Sequence, residues 1–187
     1  MSSHSRNSRK ATQALHLAFA AALLAGSAAH AADQPRNFEL AAFSNTPAGD
    51  SLVRGNYDAA YQQLTIDAHS PTASPAMIAT NRCATLIMTH KFEEARTACN
   101  AAVSAARLEI VSMAGYETWA RQEFRDDLAL AYSNRAVLDY LTNDTAAAQT
   151  DLKKAESVSP KAGLVARNLT VLQSHNAVAQ VAVVPKS

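Results

Sequence analysis

The chain has 187 residues, 17 Lys and Arg against 16 Asp and Glu, and two Cys. This near balance of charge excludes an electrostatic case for nucleic-acid binding, because nucleic-acid-binding proteins carry a clustered positive excess. Abundant Ala with only five Gly and six Pro favours helix over sheet, and no run alternates β-branched and polar residues as a strand would.

Residues 1–31 have the layout of a secretory signal peptide. Three basic residues precede a short apolar run over 14–25, and residues 29–31 read Ala-His-Ala, which suits a cleavage site. A membrane-spanning helix needs roughly 20 apolar residues, and this run is shorter. We therefore expect export to the periplasm, cleavage after Ala31 and no membrane span in the mature chain, with a retained anchor as the alternative. Cleavage would remove three of the 17 basic residues and leave the mature chain with 14 Lys and Arg against 16 Asp and Glu.

The predicted elements follow in chain order. Residues 32–50, with two Pro and one Gly, show little periodicity and predict an extended or flexible N-terminal arm. Residues 51–68 predict one helix, or two around Gly55-Asn56. Ser74 is a suitable N-cap with Pro75 at the first helical position. Further helices are predicted over 75–89, 92–110, 119–141, 146–158 and 160–176, and residues 174–187 predict a flexible tail.

One helical hairpin is repeated along the chain. Its second helix carries an early Ala at Ala60, Ala95 and Ala148, and the two later copies also share an Asn-Arg pair at 81–82 and 134–135. This pattern resembles the tetratricopeptide repeat (TPR) family, whose unit is two antiparallel helices with small residues where they touch. The resemblance implies an all-α fold of antiparallel hairpins stacked as a short TPR-like solenoid over 51–173. It covers about two and a half repeats, with a C-terminal capping helix and an insertion over 107–127.

The two cysteines are placed to meet across a hairpin. Cys83 and Cys99 lie equally far before and after Lys91, which falls at the predicted turn, so antiparallel helices would bring them level. In an oxidising compartment such a pair is usually bridged. Two buried free thiols are the alternative. A redox-active pair normally has Cys-x-x-Cys spacing, which is absent here.

The resemblance also implies a partner-binding groove on the first helices of the second and third units. In that register Asn81 and Asn134 are equivalent, and an Asn amide can both donate to and accept from a peptide backbone. Bonding between neighbouring helices is the other reading of these two residues. No Lys lies in the implied groove, which argues against a C-terminal carboxylate ligand and favours a mixed apolar and polar contact. The remaining partner-binding positions are Ile87, Met88, Ser133, Tyr140 and Leu141.

The sequence carries no catalytic motif. It has no Gly-x-Ser-x-Gly, phosphate loop or His-Glu-x-x-His, and its mature histidines lack a ligand at metal-binding spacing. We therefore expect no enzyme activity, no cofactor and no metal. The predicted function is a periplasmic interaction module that holds a peptide or partner protein in its groove. The alternative is a structural or assembly subunit of an envelope complex that uses the convex face or the 107–127 insertion.

Overall fold

All regular structure in the described part of the chain is helical, which confirms the all-α prediction. The computed structural model describes residues 38–71 and 73–182, so the predictions for the signal peptide, residues 32–37 and residues 183–187 lie outside it. The helices are α1 (Pro47–Val53), α2 (Tyr57–Asp67), α3 (Pro75–Met88), α4 (Phe92–Ser112), α5 (Thr118–Leu141), α6 (Thr145–Val158) and α7 (Gly163–Ala182).

Side-chain caps fix where several helices begin. The Ser74 hydroxyl accepts from the Met77 amide with Pro75 in the first turn, as predicted. The arm differs from its prediction, because the chain is helical from Pro47 instead of irregular to Asp50. Thr46 supplies the cap of α1 by accepting from the Gly49 amide.

The helices form one set of contacts between consecutive helices and a second set between alternate helices. Each helix packs on the next, and α1 contacts α3, α3 contacts α5, and α5 contacts α7. The repeated small residues Ala60, Ala95 and Ala148 are buried. Small side chains at such positions let helix axes approach closely, so their recurrence suits one packing geometry used along the chain.

Residues 107–127, predicted to be an insertion, form no separate element. They contribute the last turn of α4 and the first turns of α5, with a turn between Ser112 and Thr118. Val103, Ala106, Leu128 and Ala131 are buried in the cluster that joins these helices. The extended hairpin is therefore anchored at its base, although its tip carries exposed apolar residues.

A disulfide joins α3 to α4, as one of the two alternatives predicted. Cys83 and Cys99 are bonded, with 4.7 Å between their Cα atoms, and neither side chain is accessible to solvent. It lies within an apolar cluster that includes Leu86, Ile87 and Leu138.

The last helix differs from its prediction at both ends. It begins at Gly163 instead of Pro160, after a turn in which the Ala162 amide donates to the Ser159 carbonyl. It continues to Ala182, beyond the end expected near residue 176. Val165 and Leu172 are buried, and α7 packs on both α5 and α6.

Candidate peptide-binding groove

Residues 38–43 lie extended across one face of α3, α5 and α7, and we call this face the groove. The segment is neither helix nor strand. It crosses from α7 at its N-terminal end to α3 at its C-terminal end, before the chain enters α1. The groove expected for a partner is therefore occupied by the chain's own arm.

Three asparagines hold the backbone of this segment through paired hydrogen bonds. The Asn168 side chain accepts from the Glu39 amide at 2.8 Å and donates to the Glu39 carbonyl at 2.8 Å. Asn134 makes the same pair with Ala41 at 2.7 and 2.9 Å. Asn81 makes it with Phe43, also at 2.7 and 2.9 Å. Each asparagine thus both accepts from and donates to the main chain of one arm residue.

The pairing falls on alternate residues because of extended-chain geometry. In an extended segment the N–H and C=O of one residue point to the same side, and the next residue points its own to the opposite side. Glu39, Ala41 and Phe43 therefore face the asparagines with both groups. These contacts use only main-chain atoms of the arm, so they select an extended backbone and not a particular sequence.

The asparagine side chains are fully buried with the arm in place. Asn81, Asn134 and Asn168 each have 0% relative exposure. Asn81 and Asn134 bond to the main chain of the chain's own arm, so binding of a partner's backbone at these residues stays a prediction. A buried amide left without partners costs about 1–3 kcal/mol. In the folded chain the main chain of the arm supplies these partners.

Sequence reasoning missed Asn168. The resemblance treated α7 only as a cap, yet Asn168 follows Asn134 by one repeat length of the family. This spacing between Asn134 and Asn168 could have identified Asn168 from the sequence. Asn168 also donates to the Ser133 hydroxyl at 2.9 Å. Through this bond the predicted site residue Ser133 positions Asn168.

Apolar side chains of the arm fill the groove between these polar contacts. Phe38 is buried, and its ring lies 4.8 Å from the Tyr140 ring and 6.0 Å from the His175 ring, measured between centroids. The Tyr140 hydroxyl and His175 Nδ1 are hydrogen-bonded at 2.6 Å. Leu40 packs against the apolar clusters at both ends of the groove, and Ala41 is only 4% exposed.

One charged contact lies at the rim. The Arg167 guanidinium donates to both carboxylate oxygens of Glu39, at 2.7 Å each. The hydrogen bond from Arg167 lowers the pKa of Glu39 below its usual value. Both side chains are about half exposed, so this ion pair adds little to stability.

The arm enters α1 through a buried polar junction. Thr46 donates to Asp67 and also accepts from the Asn81 amide at 3.0 Å. The Ala48 amide donates to the other carboxylate oxygen of Asp67 at 3.0 Å. Gly49 is buried directly beneath the Phe43 carbonyl. The junction therefore fixes the direction in which the arm enters the groove.

The other predicted site residues divide between the groove and the core. Tyr140 contacts Phe38, while Met88 and Leu141 are half-buried beside clusters that include Leu40. Ile87 is buried in the cluster around the disulfide, so it supports the packing of α3.

A charged cleft lies elsewhere, between α4, α5 and α6. Arg135 donates to both carboxylate oxygens of Asp151, and Arg96 pairs with Asp139. Burial raises the pKa of Asp139 despite its Arg96 partner. In this cleft Arg96, Arg135 and Lys154 are each paired with a carboxylate. Among the described residues no group of His, Cys, Asp and Glu is arranged to hold a metal ion. Within the same residues, no helix is both long and apolar enough to cross a membrane.

Asp127 in α5 should make stability depend on pH. Burial, together with the nearby carboxylates Glu109, Asp126 and Glu123, raises its pKa to about 6. The folded state therefore retains a proton that the unfolded chain has lost, and this contribution to stability disappears as the pH rises through about 6. We expect Asp127→Asn to raise the melting temperature at pH 8 and to have a much smaller effect at pH 4.

Thermal unfolding at the two pH values measures this difference. Glu156→Gln, which neutralises an exposed carboxylate in α6, serves as the matched control. An equal gain from Asp127→Asn at both pH values would show that the proton on Asp127 does not carry the effect.

Comparisons with protein-family models, with curated proteins and with solved structures find no match to this chain.

Proposed function

We propose that this chain is a non-catalytic interaction module of the tetratricopeptide type, exported to the periplasm, that holds an extended segment of a partner protein in its groove. The observation that carries the proposal is the ladder of Asn81, Asn134 and Asn168 on the main chain of residues 39–43. The ladder itself binds only backbone groups, so it accepts any extended segment whose side chains fit beside it.

The repeat assignment is supported by three features. Alternate helices contact each other along the chain, buried alanines recur at the helix contacts, and Asn134 and Asn168 are one repeat apart. The 107–127 segment then lengthens the second helix of one unit and the first helix of the next. In this proposal α7 supplies a binding residue as well as covering the end of the array.

The proposed localisation rests on the signal-like layout of residues 1–31, and the Cys83–Cys99 disulfide agrees with it. Disulfides persist in oxidising compartments such as the bacterial periplasm and are rare in the reducing cytosol. The bond lies in the hairpin that carries Asn81, so oxidation would also hold part of the groove in shape.

A second candidate function uses the tip of the α4–α5 hairpin. Leu108, Val111 and Tyr116 are 70%, 71% and 60% exposed. Clustered exposed apolar side chains often mark interaction sites. This observation favours the alternative of an assembly subunit that docks through the insertion.

Site-specific photocrosslinking in the native host distinguishes the two functions. A photoreactive residue replaces His175 in the groove or Val111 at the tip, in otherwise full-length chains. If the groove is used, the His175 probe should give a crosslink to a second polypeptide, and Glu39→Arg, which loosens the arm, should increase its yield. A crosslink from Val111 alone would reject the groove and favour the assembly function.

A further inference from the structure

The contacts that the arm makes indicate which peptide side chains the groove can bind. Besides the asparagine ladder, three features of the groove contact side chains of the arm. Each of them contacts the side chain at one position of the segment. The Tyr140 and His175 rings receive an aromatic residue, Arg167 receives the acidic residue that follows it, and the apolar clusters receive the aliphatic residue after that. The next position, occupied by Ala41, is nearly closed to solvent, which favours a small side chain there.

We infer that the groove recognises in trans an extended peptide with the pattern aromatic, acidic, aliphatic, small, and that residues 38–41 occupy it as a built-in competitor. This inference rests on the proposed function and adds the chemical class of the partner. It predicts a sequence preference, which the asparagine ladder alone would not produce.

The covalent link between the arm and the groove makes residues 38–41 a strong competitor of a trans ligand. A segment joined to its site by a short link has an effective concentration in the millimolar range. A trans ligand therefore binds only to the fraction of molecules whose arm is displaced, and its apparent affinity falls by that fraction. Weakening the arm without touching the groove should reveal the intrinsic affinity.

The arm can be weakened at side chains that do not belong to the groove. Phe38→Ala with Leu40→Ala removes the two largest apolar contacts of the arm, while every residue of α3, α5 and α7 stays in place. Glu39→Arg is a milder second variant, since it places a positive charge against Arg167 in an exposed pair and leaves the core intact. Thermal unfolding first confirms which of the two variants is folded.

The probe is a fluorescein-labelled synthetic peptide of residues 37–46, Asn-Phe-Glu-Leu-Ala-Ala-Phe-Ser-Asn-Thr, titrated by fluorescence anisotropy. We expect the arm-weakened full-length chains to bind it about tenfold or more tightly than the native chain does. A peptide of the same composition in permuted order should bind at least about tenfold more weakly to the same chains.

A charge exchange tests the assignment of Arg167. Adding Arg167→Glu to the Phe38→Ala, Leu40→Ala chain should weaken binding of the native peptide. It should restore binding of a peptide in which Arg replaces the Glu. A merely structural role of Arg167 would weaken both peptides alike.

The outcomes separate the two levels of the proposal. Preference for the native order, together with the reciprocal charge exchange, supports the inference. Equal binding of native and permuted peptides, or no charge exchange, overturns the sequence preference and leaves a sequence-tolerant groove. No binding of either peptide to a folded arm-weakened chain overturns the inference and contradicts the proposed function as well.

Discussion

Replacing Gly49 with Ala should lower the free energy of unfolding by about 3 kcal/mol, the upper part of the range for an overpacked interior. A Cβ at this position would lie 1.8 Å from the Phe43 carbonyl oxygen and 2.4 Å from Asn81 Nδ2. The first of these atoms belongs to the backbone, so it can move only if the arm moves. The same shift breaks the paired bonds between Asn81 and Phe43.

Urea denaturation measures the loss, and Gly115→Ala is the matched control. A Cβ on Gly115 would meet no atom within 4 Å, so this substitution should leave stability nearly unchanged. Gly49→Ala should also bind the peptide of residues 37–46 more tightly than the native chain, because the arm is displaced at its junction. Unchanged stability of Gly49→Ala would show that the arm does not lie against α1 as described.

Removing the disulfide should lower the free energy of unfolding by a similar amount. The bond closes a loop with a sequence separation of 16, and the chain-entropy model gives about 3 kcal/mol for a loop of this size. We expect Cys83→Ala with Cys99→Ala to lower the free energy of unfolding by about this much. The two small cavities left in the apolar cluster would add to the loss.

Reductant provides the control for this pair. Denaturation of the native chain with a thiol reductant present should resemble that of the double variant, whereas the double variant should not respond to reductant. If the oxidised native chain and the double variant unfolded at the same urea concentration, the bond would contribute nothing to stability.

The helices could be predicted from the sequence because their signals are local. Ser74 with Pro75 marks the start of α3, and Asp144, whose side chain accepts from the Ala147 amide, marks the start of α6. The cysteine pair was predictable because it depends only on two antiparallel helices and a turn at Lys91. Within the arm, by contrast, Thr46-Pro47 is the same kind of capping signal as Ser74-Pro75, and it starts α1 despite the surrounding irregular pattern.

The occupant of the groove could not be predicted in the same way. Residues 38–43 contain no breaker and no helical period, and their extended form depends on asparagines far away in sequence. Only the folded stack brings Asn81, Asn134 and Asn168 into a row. The sequence could therefore indicate that Asn81 and Asn134 suit a peptide backbone, while the arm that they hold becomes evident only from the tertiary structure.

Amide hydrogen exchange of residues 39–43, followed residue by residue by NMR, tests the asparagine ladder most directly. The amides of Glu39, Ala41 and Phe43 should exchange about a hundredfold more slowly than those of Leu40 and Ala42, because only the former donate to an asparagine. In Asn134→Ala, protection of Ala41 should fall the most. Equal, fast exchange of all five amides in the native chain would contradict the account, because the arm would then not be held in the groove.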